Sequence, residues 1–190
     1  MNRRNALIPW AFLVLLLLFP VCSAPAHDLV WPGEKLKTLY PEAETFEQKN
    51  LYISDQQRAA LEKKLKGSLP EEDLKPSVYF AIVRSGPDAR PRKAAVLLFV
   101  DAHGENGKIE MGVAVSGKGE LISVHVFENK EPAKLSSPDF LKQFEGKKAS
   151  DTFQIGSDIQ APAGTERSAQ AIASGARRGL LLIEELFRKK

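Results

Sequence analysis

Cysteine is almost missing from this chain. The single one, Cys22, falls inside an apolar N-terminal run, so a chain that loses this run has no thiol left. That excludes disulfides, a thiolate nucleophile and cysteine-ligated metal. Histidine is scarce as well, with only His27, His103 and His125. His27 is expected at a disordered terminus. His103 sits in an Asp101-Ala102-His103-Gly104-Glu105 turn whose spacing matches no ligand motif, and the Gly and Asn around it mark a hairpin. His125 alternates along a strand with apolar neighbours, so no metal site and no catalytic residue is assigned. A Gly-x-Ser-x-Gly elbow, a Walker loop and a dinucleotide fingerprint are also lacking, and nothing in the chain makes a hydrolase. No internal repeat or low-complexity segment is present. The formal charge is +3, and loss of Arg3 and Arg4 lowers it to +1, which gives no argument for a nucleic-acid partner.

What is present begins with a targeting pattern. Arg3 and Arg4 precede the apolar run Ala6–Phe19, and Ala24-Pro25-Ala26 supplies small residues at the positions a signal peptidase reads. Residues 1–26 are therefore expected to be a secretory signal peptide cleaved after about Ala26. The alternative is an uncleaved anchor, for which the run is short of the roughly 20 residues that span a bilayer. Phe19-Pro20-Val21 makes a poor lipobox before Cys22. The protein is expected outside the cytoplasm, in the periplasm or on the extracytoplasmic membrane face. The remainder, from His27 to Lys190, has the size of one domain and could bury roughly 70% of its unfolded surface, which must hold the fold without disulfides.

Residues 27–76 read as a helical lead-in: a turn or two at EKLKTLY, then a surface helix over SDQQRAALEKKLKG. In the latter, Ser54 or Asp55 caps, Gly67 stops, and Lys63, Lys64 and Lys66 form a solvated face. From residue 77 the period changes. Ser77–Ser85, Lys93–Ala102, Lys108–Gly117 and Glu120–Glu128 are rich in β-branched and aromatic residues and are separated by Gly-rich turns. They predict an antiparallel meander with one face covered by helices. In the fourth strand, Ile122, Val124 and Val126 are expected to share one face. SSPDFLKQFEGK predicts a short helix capped by Ser137 with Pro138 in its first turn. A last helix from about Arg167 to Phe187 carries an apolar stripe at Ala169, Ile172, Ala173, Ala176, Leu180 and Ile183. The fold class is α+β: an antiparallel sheet meander packed by a C-terminal helix and shorter helices.

The stretch DIQAPAGTERSAQAI, Asp158 to Ile172, places small residues before that last helix. A helix N-terminus offers unpaired N–H groups and partial positive charge, and small residues let an anion approach the backbone. Arg167 adds charge and Ser168 a hydroxyl. Thr165 or Ser168 equally serves as a plain helix cap, and the residues alone leave both readings open.

The order of the pieces narrows the choice. Glu120-Leu121-Ile122 with the following Val-x-Val run, Glu131-Pro132, the box Phe140-Leu141-Lys142-Gln143-Phe144-Glu145-Gly146-Lys147, and the interval from Asp158 to Thr165 stand in sequence. From about Lys108 to Leu180 the chain resembles the FMN-binding domain of the flavin subunits of Rnf and sodium-translocating NADH:quinone reductase complexes. The resemblance implies that residues 77–190 are an FMN-binding-like domain. It implies FMN as cofactor, esterified through its phosphate to Thr165 by a flavin transferase outside the cytoplasm. Asp158 would orient the segment, with Ala163, Gly164, Ser168 and Glu131 around the cofactor. Where the family has Ser/Thr-Gly-Ala-Thr, this chain has Pro162-Ala163-Gly164-Thr165. The implied function is an exported electron-transfer flavoprotein, a carrier more than a stand-alone enzyme. Its partner would be a membrane or periplasmic redox protein such as a cytochrome or quinone-linked complex. The alternatives are a flavin-free binding or assembly module of the same fold, and a periplasmic flavin-dependent reductase using His125 or Glu131.

Overall fold

Residues 31–188 are described in a computed structural model of the chain; the expected signal segment, 1–26, and His27 lie outside them. The four expected strands are β2 (Ser77–Val83), β3 (Arg92–Gly104), β4 (Gly107–Ser116) and β5 (Leu121–Val126), and a further strand, β1 (Thr45–Asn50), pairs with β2. The sheet is antiparallel throughout, in the order β1-β2-β3-β4-β5. Helices α1 (Gly33–Leu39), α2 (Asp55–Leu65), α3 (Pro138–Leu141) and α4 (Glu166–Phe187) complete an α+β fold.

Three expectations need correction. Residues 27–76 are more than a helical lead-in, because they contain β1. Its sequence TFEQKN half-buries only Phe46, so a polar edge strand gives no period-2 signal. Both faces of the sheet are covered, not one. Val78, Phe80, Leu98, Val100, Met111 and Val113 face α4, whereas Tyr79, Ala81, Leu97 and Ala114 form a second cluster with Leu36 and Leu39 of α1. Gly112 makes room for this, since a Cβ there would lie 2.5 Å from Leu39 Cδ1. Lys35 fixes α1 laterally by an ion pair to Glu110 at 2.7 Å. Finally, the register passes from Ala114↔Ser123 to Val115↔Leu121. This bulge makes Ile122 an extra residue, so Leu121 joins Val124 and Val126 on the α4 side and Ile122 turns towards α1.

Helix α2 starts with a capping box: Ser54 Oγ accepts from Gln57 N, and Ser54 N donates to Gln57 Oε1. Its Leu61 is fully buried, and Gln57 Nε2 donates to the Glu185 carbonyl of α4 at 3.2 Å. Helix α4 buries the stripe its spacing announces. Gly175 and Gly179 set its distance from the sheet, because a Cβ at either would come within 2.8 Å of Met111 Sδ or Val113 Cγ2.

Arg177 and Arg178 of α4 are both bonded within the fold. Arg177 Nη1 donates to the Lys64 carbonyl at 3.2 Å. Arg178 Nη2 donates to the Asp101 carbonyl, and its Nε lies 2.8 Å from the buried Asp73 Oδ2. Burial pushes the Asp73 carboxyl up to about 6, with Glu72 and Asp101 adding to the rise and Arg178 opposing it.

Replacing Gly179 with Val should destabilise the protein by about 1–3 kcal/mol through overpacking. Ser174→Ala on the exposed face of α4 should stay within about 0.5 kcal/mol of wild type. Denaturant titrations of both decide this, and an unchanged midpoint for Gly179→Val would show that glycine is not needed there. Because the folded Asp73 binds its proton more tightly than the unfolded chain does, its contribution is full below about pH 4 and lost as pH rises through about 6. Asp73→Asn should remove this component from the pH dependence of stability.

Candidate functional site

The Gln143–Lys147 box is a clasp for the segment that leads into α4. Its Phe144 is fully buried against Phe140 and Phe153, with ring centroids 5.6 and 6.4 Å away. The Gln143 amide grips one backbone unit twice: Oε1 accepts from Gln160 N at 2.8 Å and Nε2 donates to the Gln160 carbonyl at 3.0 Å. Gly146 takes a left-handed φ of 76° and donates its N–H to the Leu121 carbonyl at 2.8 Å. A side chain would strain that turn. Lys147 then reaches Asp158 Oδ2 at 3.0 Å.

Asp158 is the other half of the clasp. Besides Lys147 it accepts from Phe153 N at 3.0 Å and Gln154 N at 2.7 Å. Burial works to raise its pKa. The Gln154 N–H, the Thr152 hydroxyl, Lys147 and the Phe153 N–H together outweigh burial and hold the carboxyl well below the usual carboxylate range. The bonds keep Phe153 at φ 53°, a conformation rare for an aromatic residue. Gln170 of α4 closes the segment from behind, donating to the Phe153 carbonyl at 2.9 Å and accepting from Ile155 N at 3.0 Å.

Ala163 and Gly164 are exposed and Thr165 is 2% exposed. Gly164 has φ 73°, so the Ala-Gly order of this chain is what the turn into the helix requires. Thr165 stands at the N-cap position, yet its side chain accepts no helix N–H. Its hydroxyl instead donates to the Pro162 carbonyl at 2.6 Å, and its N–H bonds the same carbonyl at 3.2 Å. Glu166 Oε1 accepts from Gly164 N at 3.0 Å, and Lys134 Nζ donates to the Ala163 carbonyl.

Ser168 and Glu131 meet directly, 37 residues apart in sequence. Ser168 Oγ donates to Glu131 Oε2 at 2.7 Å and accepts from Glu105 N at 2.9 Å. Glu131 also accepts from Asn106 N at 2.7 Å and Asn106 Nδ2 at 3.0 Å. The β3–β4 hairpin tip, the loop after β5 and the first turn of α4 are thus joined at one buried carboxylate. Gly104 belongs to the same join, since a Cβ there would collide with Glu131.

Of the residues singled out in the sequence, Ala163, Gly164 and Thr165 form one turn, and Ser168 pairs with Glu131. The hydrogen bonds of Asp158 run to residues 147–154 and not to Thr165. Sequence reasoning did not single out Asn106, Lys134 or Gln170, and it saw Gln143 and Lys147 only as parts of a motif. The spacing of the box to Asp158 was the available signal for the last two. Asn106 sits in a hairpin tip that reads as an ordinary turn. His125 lies elsewhere, in a groove of about 430 Å³ with Ser136, Asp139 and Lys142, and burial lowers its pKa. It shares no hydrogen bond with Glu131.

No protein-family model matches this chain, and no curated protein matches it. Beside the Thr165 turn lie the Lys134 ammonium, bonded to the Ala163 carbonyl, and the exposed Arg167 guanidinium, 3.5 Å from Glu105. Ser168 and Glu131 are already committed to each other.

Asp158→Asn should cost about 1–3 kcal/mol of stability at neutral pH by removing a multiply bonded carboxylate. The lowered pKa means that the Asp158 contribution is present above about pH 4 and lost as pH falls below it. Denaturation midpoints across that range should therefore fall less steeply for the variant than for wild type.

Proposed function

We propose that this protein is an exported FMN-binding electron-transfer flavoprotein whose FMN is joined through its phosphate to Thr165. The observation that carries the reading is a threonine at the start of α4 that does not act as a side-chain cap. It stands beside an exposed Ala-Gly turn and two cations. The Gln143–Gln160 and Lys147–Asp158 contacts hold the incoming segment in place, and Ser168 with Glu131 holds the first turn of the helix. FMN, when bound, supplies one- and two-electron transfer.

The residues of this chain position and neutralise. Lys134 and Arg167 balance phosphate charge, and Gly164 allows close approach of the backbone. In the transfer Thr165 would supply the ester oxygen and lose its proton to the transferase, while the phosphoanhydride bond of a flavin dinucleotide donor breaks and its nucleoside monophosphate leaves. Because the Thr165 oxygen is covered and bonded to the Pro162 carbonyl, the Pro162–Gly164 turn must open for a flavin transferase to reach it. A membrane or periplasmic redox protein, such as a cytochrome or quinone-linked complex, is the partner of this reading.

One observation favours a second reading. Thr165 is covered, and Ser168 and Glu131 satisfy each other, which suits a flavin-free binding or assembly module. The exported protein, made in cells that contain the transferase, separates the two. Flavin absorbance, with an intact mass raised by one FMN less one water, is expected for wild type and should disappear in Thr165→Ala. A colourless protein that also takes up no FMN on titration supports the second reading.

A further inference from the structure

The other side of the Asp158 segment carries a groove of about 450 Å³ between the end of α2, residues 150–154 and the middle of α4. Its volume is in the range of small-ligand sites. Phe153 and Leu65 contribute its apolar lining, with Arg177 beside them, and Lys66, Ser150, Gln154 and Ser174 form an exposed rim. The lining contains more binding capacity than the fold uses. Arg177, which lines the groove, has five N–H donors and gives one contact among the described residues, from Nη1 to the Lys64 carbonyl. The Lys66 ammonium has no ion-pair partner among the described residues, although the neighbouring Lys64 has two. Ser174 Oγ accepts from Gln170 and keeps its own proton to donate. The acidic lining residue, Asp151, has one carboxylate oxygen tied to Lys148 N at 2.8 Å.

A second feature marks the same place. The non-glycine residues with left-handed φ, Lys66 at 56° and Phe153 at 53°, both line this groove. Each is held there by the fold: Lys66 as the C-cap of α2, Phe153 by Asp158 and Gln170. Uncommon backbone conformations that surroundings enforce concentrate at ligand sites.

We propose that this groove binds a small hydroxylated oxyanion, a sugar phosphate or a sugar acid. Arg177 and Lys66 would take the anionic group, and Ser150, Gln154 and Ser174 the hydroxyls. Two cations against one partly committed carboxylate select an anion, and the neutral polar rim suits hydroxyl groups. The site is distinct from the Thr165 turn and does not depend on flavin.

The test is an amide NMR titration of the full exported protein with glucose 6-phosphate, gluconate, glucose and inorganic phosphate. Glucose 6-phosphate or gluconate should shift residues 65–67, 150–154 and Ser174 saturably, and which of the two binds tighter tells phosphate ester from carboxylate. Inorganic phosphate should bind the same residues more weakly, and glucose should have no effect. Arg177→Met should weaken binding about tenfold or more, as loss of a charge-assisted contact does. Lys66→Ser, a rim change that spares the fold, should weaken it severalfold, and Thr165→Ala should leave it unchanged. No saturable shift with either anion, glucose binding as well as its phosphate, or full affinity in Lys66→Ser would overturn the proposal.

Discussion

A buried carboxylate must be satisfied on the spot, and Glu131 decides where three remote segments meet. It draws donors from the β3–β4 hairpin tip and from Ser168, so α4 begins at a fixed place relative to the sheet. Removing one partner would leave charge stranded in a site with little water. The turn before α4 inherits its geometry from this arrangement. Gly164 bends, Thr165 enters the helix, and the exposed surface lies just N-terminal to the anchored turn. The Asp158 clasp does the same from the other direction, so the segment between residues 158 and 168 is held at both ends and open in the middle.

That division separates supporting residues from available ones. Side chains that look equally polar in sequence differ in how much of their bonding capacity is used. Glu131, Ser168 and Asp158 are held by several bonds each, whereas Lys134, Arg167 and the Ala163–Gly164 backbone each make a single contact among the described residues and are exposed. The box at Gln143–Lys147 holds the chain through Gln160 and Asp158 independently of the turn ahead of α4.

The strongly periodic parts of the molecule were legible in the sequence. The β-branched runs became β2 to β5, and the three-and-four spacing became α4, because burial on a defined face leaves a pattern that propensity alone does not. Strand β1 was not legible, since an exposed edge strand buries almost nothing and its existence depends on its partner, β2. The second covered face was hidden for a related reason: α1 offers only Leu36 and Leu39 to it, and the matching recess at Gly112 is a contact across more than seventy residues. The bulge that moves Ile122 is one extra residue, which local alternation cannot locate. Within the site, the turn and its threonine were visible, but the commitments of Ser168, Asp158 and the arginines of α4 were not, because they are fixed by three-dimensional neighbours.

The polar character of β1 has a consequence for the life of the chain outside a single fold. Its outward side carries exposed side chains over Glu47–Asn50, and Glu47 is already bound to Lys93 at 3.2 Å. A second copy approaching this edge would have to strip water from charged groups before any backbone pairing could form. At the opposite end of the sheet, Leu121 exchanges hydrogen bonds with Gly146 and Lys147 of its own chain. A chain with a single cysteine and so no internal disulfide to guard its folded state therefore resists growing into shared sheets with its neighbours.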